Sequence, residues 1–198
     1  MRKVILQEFI SLDSLAAGPN DSVDFVPAAT RGDKSFGREQ LKLMNSIDRI
    51  LLGRKTFEMF AGYWPKVTKG KEKPFADKLN SIPKIVFSKT LENAPWGDWE
   101  KAEIVSDEAG KEIAKLRRRS GKNMVIWGSI SVAQSLIKEG LVDEYRLVMC
   151  PVVLGNGRPL FLNGVDQFGL KLMEAKKFDQ GAVQLKYKPA PNKKRAAS

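Results

Sequence analysis

The sequence alternates between two hydrophobic patterns. Short apolar runs of strand length lie at residues 4–10, 49–53, 85–87, 104–105, 124–127 and 145–153. Between them, apolar residues recur with the three- and four-residue spacing of an amphipathic helix at residues 35–46, 57–64, 109–121 and 130–140. Strands that alternate with helices in this way predict βαβ units and therefore a parallel sheet.

The last part of the chain follows a different pattern. Residues 170–178 and 182–187 flank the turn sequence Asp179-Gln180-Gly181, and apolar residues alternate in the second segment. This pattern predicts an antiparallel β-hairpin. We therefore predict an α/β fold with three α/β/α layers, in which a mixed, mainly parallel sheet ends in a C-terminal antiparallel hairpin and helices cover both faces. One domain is expected over residues 1–189, followed by a disordered basic tail over residues 190–198.

The composition is that of a globular protein, with 42% hydrophobic and 29% charged residues among 198. No run approaches the roughly 18 apolar residues of a membrane span. The N-terminal segment lacks the features of a signal peptide, because Gln7 and Glu8 interrupt it. We therefore expect a cytoplasmic protein with no membrane partner. Its one cysteine, Cys150, lies in an apolar run and is expected to be a buried hydrophobe.

The chain has no histidine, and this excludes several classes of site. Ser-His-Asp and Cys-His catalytic groups are impossible, and no metal site is expected because the common zinc ligands are missing. The formal net charge is +11, which is compatible with anionic small molecules or with nucleic acid. Basic runs lie in the tail and at residues 117–119, but no aromatic residues are interleaved with them, so a nucleic-acid partner is the less favoured alternative.

Two strand-to-helix junctions are candidate sites for anionic ligands. The first is Gly53-Arg54-Lys55-Thr56, and the second is Gly128-Ser129-Ile130 after an apolar strand. The first turn of a helix has unpaired N–H groups and a partial positive charge, and glycine lets a phosphate approach the backbone. At the second junction, Ser129 is a good N-cap residue. The alternative for each junction is an ordinary helix start, and neither matches a Walker or a Rossmann glycine pattern.

Several segments, taken in order, resemble the dihydrofolate-reductase-like family and in particular the C-terminal reductase domain of the bacterial bifunctional riboflavin-biosynthesis deaminase-reductase. The matching segments cover nearly the whole chain and lie at residues 4–13, 51–57, 63–65, 86–90, 127–129, 140–145 and 151–161. Each segment is short, but their order and spacing together are specific. The resemblance implies a reductase of the riboflavin-biosynthesis type that acts as a homodimer.

The resemblance also implies where a cofactor binds. The family's Gly-Arg-x-Thr junction maps to Gly53, Arg54, Lys55 and Thr56, and its later glycine turn maps to Gly128, Ser129 and Ile130. The residues that approach the adenosine end map to Ser88, Lys89 and Thr90. With Arg54, these residues suit a 2′-phosphate, so NADPH is favoured over NADH. Both junctions are also candidate anion sites on the evidence of their residues alone.

The family's proton donor has no counterpart at the matching position of this chain. Dihydrofolate reductases use an acidic residue near the start of the first helix, but residues 35–38 contain no carboxylate here, and Asp33 and Glu39 do not match the family pattern. This departure argues against dihydrofolate as the substrate. Asp13 is the best alternative acid, although Ser14 replaces the glycine that follows it in the family. The alternative interpretation is that Asp13 only caps a loop.

Three further charged residues lie in the matching segments. Asp143 and Glu144 open a strand and are expected to be structural, whereas Arg158 is a candidate for contact with an anionic substrate. The leading hypothesis is an NADPH-dependent reductase that transfers a hydride to a small heterocyclic or ribosyl-pyrimidine-type substrate, such as 5-amino-6-(5-phosphoribosylamino)uracil. The alternatives are a non-catalytic nucleotide-binding protein of the same fold and a nucleic-acid binder.

Overall fold

The apolar runs form strands and the periodic segments form helices, in a computed structural model that describes residues 1–191. The strands are β1 (Val4–Ile10), β2 (Leu15–Ala17), β3 (Ile47–Gly53), β4 (Lys84–Phe87), β5 (Glu103–Val105), β6 (Asn123–Trp127), β7 (Glu144–Met149), β8 (Arg158–Pro159), β9 (Leu170–Lys177) and β10 (Val183–Pro189). The helices are α1 (Phe25–Thr30), α2 (Lys34–Asn45), α3 (Arg54–Tyr63), α4 (Lys73–Ser81), α5 (Ala109–Arg117) and α6 (Ile130–Lys138). From Asn192 onward, the predicted tail lies outside the described residues. Within residues 1–191, no helix is both long and apolar enough to cross a membrane.

The main sheet has eight strands in the order β5-β4-β3-β6-β1-β7-β10-β9. The six strands from β5 to β7 are parallel to one another. β10 pairs antiparallel with both β7 and β9. The predicted mainly parallel sheet with a C-terminal antiparallel hairpin is therefore confirmed. A separate antiparallel pair joins β2 to β8.

Helices cover both faces of the sheet, as predicted. Side chains alternate between the two faces along each strand. On one face, α5 and α6 pack against a cluster that includes Leu6, Leu51 and Ile126. On the other face, α2, α3 and α4 pack against a cluster that includes Ile5, Leu52, Val125 and Trp127. The central strands are thus buried on both sides, which explains why they read as continuous apolar runs rather than as alternating patterns.

Two strand or helix ends differ from the sequence prediction by about four residues, and one helix was not predicted. β7 ends at Met149 rather than at residue 153, because Pro151 cannot donate a ladder hydrogen bond. α5 ends at Arg117 rather than near residue 121. Helix α4 was not predicted, because a proline, Pro74, within a basic stretch is typical of a loop. Proline is nevertheless well tolerated in the first turn of a helix, which is where Pro74 lies.

Cys150 is buried, as expected. It packs in a cluster with Phe25, Val148 and Phe178. Burial raises the pKa of its thiol to about 12. A thiol with so high a pKa has almost no reactive thiolate at neutral pH, so Cys150 acts as a packing residue.

Lys84 is a buried amine in the core between the sheet and α4, with 3% of its surface exposed. Its Nζ donates to the Asn80 carbonyl oxygen at 2.6 Å and lies 4.2 Å from the centre of the Trp96 ring. The Trp96 indole in turn donates to the Asn80 side chain at 2.8 Å. Burial lowers the pKa of Lys84 to about 7, because the interior disfavours the charged form.

This lowered pKa predicts a pH dependence of stability. Between about pH 7 and the ordinary lysine pKa of 10.5, the unfolded chain holds a proton at Lys84 that the folded chain lacks. Stability therefore gains from this residue as pH rises, by up to about 1.4 kcal/mol per pH unit. Urea unfolding of the wild type and of Lys84→Met at pH 7 and pH 9 measures the difference. The exposed control Lys71→Met should keep the wild-type slope, and a Lys84→Met variant that also keeps it would contradict the prediction.

Candidate functional site

The two predicted junctions meet at the carboxyl edge of the sheet. β3 runs directly into α3 at Gly53, and β6 reaches α6 through Gly128 and Ser129. β3 and β6 are neighbouring parallel strands, with Leu51 paired to Ile126. Because the carboxyl ends of parallel strands lie at the same edge, both helix N-termini are presented side by side.

Direct contacts join the two junctions. The Gly53 amide donates to the Ser129 hydroxyl at 2.9 Å. Gly128 has a φ of +57°, and a Cβ added there would lie 3.4 Å from the Thr56 methyl group. The first turn of α3 therefore packs closely on the turn before α6, and together they form one continuous surface of backbone.

Ser129 has a different role from the predicted N-cap. Its φ is 61°, in the left-handed region, and its side chain does not cap α6. The hydroxyl instead accepts the Gly53 amide hydrogen and lies 3.4 Å from the Trp127 carbonyl oxygen. A left-handed conformation is unusual for serine and is maintained only where surrounding contacts enforce it. Ser129 is thus a strained tether that fixes one junction against the other.

Neither helix N-terminus at this site is capped by a side chain. α3 starts at Arg54 after Gly53, which has no side chain, and α6 starts at Ile130 after Ser129, whose hydroxyl accepts no hydrogen bond from the helix. Uncapped first-turn amides carry the positive end of the helix dipole and bind anions. Two such ends placed together suit a ligand with two linked phosphates.

The basic residues of the first junction take part in ion pairs. Arg54 contacts Glu58 at 3.1 Å on the surface of α3. Lys55 contacts Asp21 at 2.5 Å, and Arg158 contacts the same carboxylate at 3.4 Å. Hydrogen bonding and charge from Lys55 lower the pKa of Asp21. Both cations of the junction are exposed, so an anionic ligand can compete for them.

The third predicted segment lies beside the first junction. β4 pairs with β3 up to Phe87 opposite Gly53, so Ser88 follows at the same edge as Arg54. The Ser88 hydroxyl accepts from the amides of Thr90 at 3.2 Å and Leu91 at 3.0 Å, which closes a tight turn. Lys89 and Thr90 are exposed on this turn. The structure thus brings the three groups of predicted cofactor residues to one edge.

Asp13 lies in the turn after β1 and tethers a distant loop. Its carboxylate accepts from the amides of Leu154 at 3.1 Å and Gly155 at 2.7 Å. Hydrogen bonds from the Ser11 hydroxyl and from these amides lower the pKa of Asp13 to about 2. A carboxyl with this pKa is ionised at neutral pH. These contacts match the loop-capping alternative and give no support to Asp13 as a proton donor.

The other carboxylates near α2 are structural. Asp33 caps α2 by accepting from Phe36 and also accepts from Gln180, both at 2.8 Å. Glu39 pairs with Lys176 at 2.8 Å and Lys186 at 2.6 Å. Burial alone would raise the pKa of Glu39, but hydrogen bonds from these lysines lower it to about 2. Neither group retains a proton at neutral pH.

Asp143 and Glu144, at the start of β7, make structural contacts, as expected. Asp143 accepts from Arg117 at 2.6 Å and from the Val4 amide at 2.8 Å. Glu144 contacts Arg146 on the same strand at 2.5 Å. These bonds join the N-terminal ends of β1 and β7 far from the carboxyl edge of the sheet.

Two polar residues inside β1 were missed as site candidates. Gln7 is fully buried, and Glu8 is 3% exposed. Burial raises the pKa of Glu8 from 4.5 to about 8, although a hydrogen bond from the Phe9 amide lowers it in part. The signal in the sequence was a Gln-Glu pair inside an otherwise apolar strand. Apolar and polar residues do not alternate along this strand, which indicates that both of its faces are buried. Buried polar residues call for a functional explanation.

No metal centre is formed by the residues that the structure describes. Within residues 1–191, no group of three or more His, Cys, Asp or Glu side chains is arranged to hold a metal ion.

Comparisons with known proteins agree with this geometry. Residues 2–184 match the family described as the RibD C-terminal domain. The chain is 34% identical over 191 residues to the uncharacterized protein YyaP of Bacillus subtilis, covering 94% of each chain. A pyrimidine reductase-like protein from Corynebacterium diphtheriae has the same fold, with 18% identity, a TM-score of 0.68 and coverage of 96% of this chain and 93% of that one.

A longer bifunctional protein shares the fold as well. It is the diaminohydroxyphosphoribosylaminopyrimidine deaminase/5-amino-6-(5-phosphoribosylamino)uracil reductase of Thermotoga maritima, with 15% identity and a TM-score of 0.66. The match covers 96% of this chain and 57% of the Thermotoga chain. The resemblance stated from the sequence segments is thus confirmed, and the chain belongs to the RibD C-terminal domain family.

Proposed function

We propose that this protein is an NADPH-dependent reductase that transfers a hydride to a small heterocyclic or ribosyl-pyrimidine-type substrate. The observation that carries the proposal is the pair of uncapped helix N-termini, joined by the hydrogen bond between Gly53 and Ser129 at 2.9 Å. Such a surface favours a diphosphate. Membership of a family of reductase-type domains supports the same conclusion.

The residues at the carboxyl edge fit a dinucleotide. A Cβ on Gly53 would contact the first turn of α6, and one on Gly128 would contact Thr56, so the two glycines let the junctions pack closely and present their first-turn amides together. The first-turn amides of Thr56 and Ile130 would donate to the diphosphate. Arg54 and Ser88 lie at the strand end beyond them and would hold the 2′-phosphate. When bound, NADPH supplies the hydride.

The substrate is proposed to bind at the carboxyl end of β1, where the pairing of β1 with β6 ends. Gln7 lies on the face of the sheet that α2 covers, in register with Trp127 and Arg146. The side-chain amides of Gln7 and of Gln40 on α2 are buried and have no hydrogen-bond partner among the described residues. An amide offers one donor and one acceptor side by side. This pairing matches the lactam edges of a pyrimidine such as 5-amino-6-(5-phosphoribosylamino)uracil.

The Arg54→Gln substitution tests the proposed cofactor. Loss of a charged contact to the 2′-phosphate removes about 1.5–3 kcal/mol, so NADPH should bind about 10- to 100-fold more weakly. Binding of NADH, which lacks that phosphate, should not change. Calorimetric titration with both cofactors measures the two effects.

The control for this test is Arg119→Gln. Arg119 is exposed and follows α5, so its replacement removes the same charge without touching the proposed site. It should leave the affinity for NADPH unchanged apart from a small long-range effect. Equal losses for NADPH and NADH in Arg54→Gln, or equal losses in both variants, would remove the argument for a 2′-phosphate site.

A further inference from the structure

β1 and β6 separate at the carboxyl edge of the sheet. Their last paired residues are Gln7 and Trp127, and the Gly128 amide closes the ladder by donating to the Gln7 carbonyl oxygen at 3.2 Å. Beyond this point β6 continues into α6 on one face of the sheet, whereas β1 leads to α2 on the other face. Strands whose connections leave to opposite faces open a crevice between them, and this is where open α/β sheets bind their ligands.

The Phe9 amide points into this crevice. In a parallel ladder, the N–H and C=O groups of every second residue face the same neighbour. The backbone groups of Gln7 face β6, so those of Phe9 also face β6. The backbone groups of Ile10 face β7, and its carbonyl oxygen accepts from the Cys150 amide at 2.7 Å. β6 has already turned away at this level. The Phe9 amide therefore has no strand partner, and it donates instead to Glu8 Oε1 at 3.1 Å.

Glu8 lies on the same face of β1 as Leu6 and Ile10, opposite to Gln7. The bond to the Phe9 amide turns its carboxyl group from that face toward the crevice between β1 and β6. The side chain is 3% exposed, and its Oε2 atom has no hydrogen-bond partner among residues 1–191. A buried carboxylate with one neutral donor and no cation is costly to keep ionised. Consistent with this environment, the pKa of Glu8 is raised to about 8. Asp13 and Glu39, in contrast, are ionised well below neutral pH.

We propose that Glu8 is the proton donor of the reduction, with one oxygen fixed by the Phe9 amide and the other available to the substrate at the β1–β6 crevice. This inference rests on the proposed function. The carbon of a substrate C=N or C=O bond gains a hydride from NADPH, which leaves as NADP⁺. The π electrons move to the nitrogen or oxygen, which takes the proton from Glu8. The resulting carboxylate regains a proton from water after product release.

The Glu8→Gln substitution tests this role, because glutamine keeps the acceptor for the Phe9 amide but has no acidic proton. With NADPH and 5-amino-6-(5-phosphoribosylamino)uracil, kcat is expected to fall about 10²- to 10⁴-fold, while the Kd for NADPH is unchanged. The wild-type rate should decline as pH rises through about 8, and Glu8→Gln should lose this decline. Asp13→Asn should retain it, because Asp13 is ionised over the whole range.

A second measurement needs no turnover. The infrared C=O band of the protonated Glu8 carboxyl is expected in the wild type at neutral pH and absent from Glu8→Gln. Binding of NADPH at the same crevice should shift that band. An unshifted band with NADPH bound, or a Glu8→Gln variant with wild-type kcat, would overturn the assignment of Glu8. Failure of the wild type to bind NADPH would instead overturn the proposed function.

Discussion

Replacing Gly157 by alanine is expected to destabilise the protein by about 2–6 kcal/mol, as the sum of two effects that each cost about 1–3 kcal/mol. Gly157 has a φ of +152°, and a Cβ added there would lie 2.1 Å from the Ala17 carbonyl oxygen and 3.0 Å from the Gly18 Cα atom. Both atoms belong to the backbone, so no side chain can rotate away. Relief requires the 151–161 loop to move away from β2.

The Gly157→Ala substitution should also affect the proposed cofactor site. The loop after β7 supplies the amides of Leu154 and Gly155 to Asp13 and carries Arg158, which contacts Asp21 beside Lys55. Displacing this loop should therefore weaken NADPH binding as well as lower stability. Urea unfolding gives the loss in stability.

A control lies two residues away in the same loop. Gly155 also has a positive φ, +71°, but nothing lies within 4 Å of a Cβ added there. Gly155→Ala should thus lose only the conformational cost of about 1–2 kcal/mol. If the two variants were equally stable, the close approach of Gly157 to β2 would not contribute to stability.

The Gly128→Ala substitution is expected to weaken NADPH binding by about 100-fold. Alanine is strained at a φ of +57°, and its Cβ would press on the Thr56 methyl group at 3.4 Å. To relieve this contact, the turn at Gly128 has to rotate, which moves the first amides of α6 away from the first turn of α3. Misplacing one or two charge-assisted hydrogen bonds to a diphosphate costs about 3 kcal/mol. Calorimetric titration with NADPH measures the change.

The other end of α6 offers the matched control. Gly140 follows this helix with a φ of +66°, and nothing lies within 4 Å of a Cβ added there. Both variants should lose about 1–2 kcal/mol of stability through left-handed strain. Only Gly128→Ala should lose affinity for NADPH. Similar affinities in the two variants would show that the turn at Gly128 does not bind the cofactor.

The sequence predicted the elements that carry the site because their signals are local. The apolar strand ending at Gly53 and the helix that follows are visible within a few residues, and the same holds for the strand and helix on either side of Gly128. Glycine at each junction marks the point where the backbone is accessible. The terminal hairpin was likewise predicted by alternation and by a turn that contains Gly181.

The parts that were missed depend on contacts between distant residues. Nothing local shows that Ser129 accepts from Gly53, 76 residues away, rather than capping its own helix. In the same way, the amides that hold Asp13 ionised come from Leu154 and Gly155. The role of Glu8 depends on the strand order, because only the departure of β6 leaves the Phe9 amide without a partner.

The most direct test of the central claim is a calorimetric titration of the wild-type protein with NADPH and with NADH. The paired helix N-termini and the basic edge at Arg54 predict that both cofactors bind and that NADPH binds about 10- to 100-fold more tightly. Equal affinities would contradict the assignment of the 2′-phosphate to Arg54 and Ser88. No binding of either cofactor would contradict the claim that this edge of the sheet is a cofactor site.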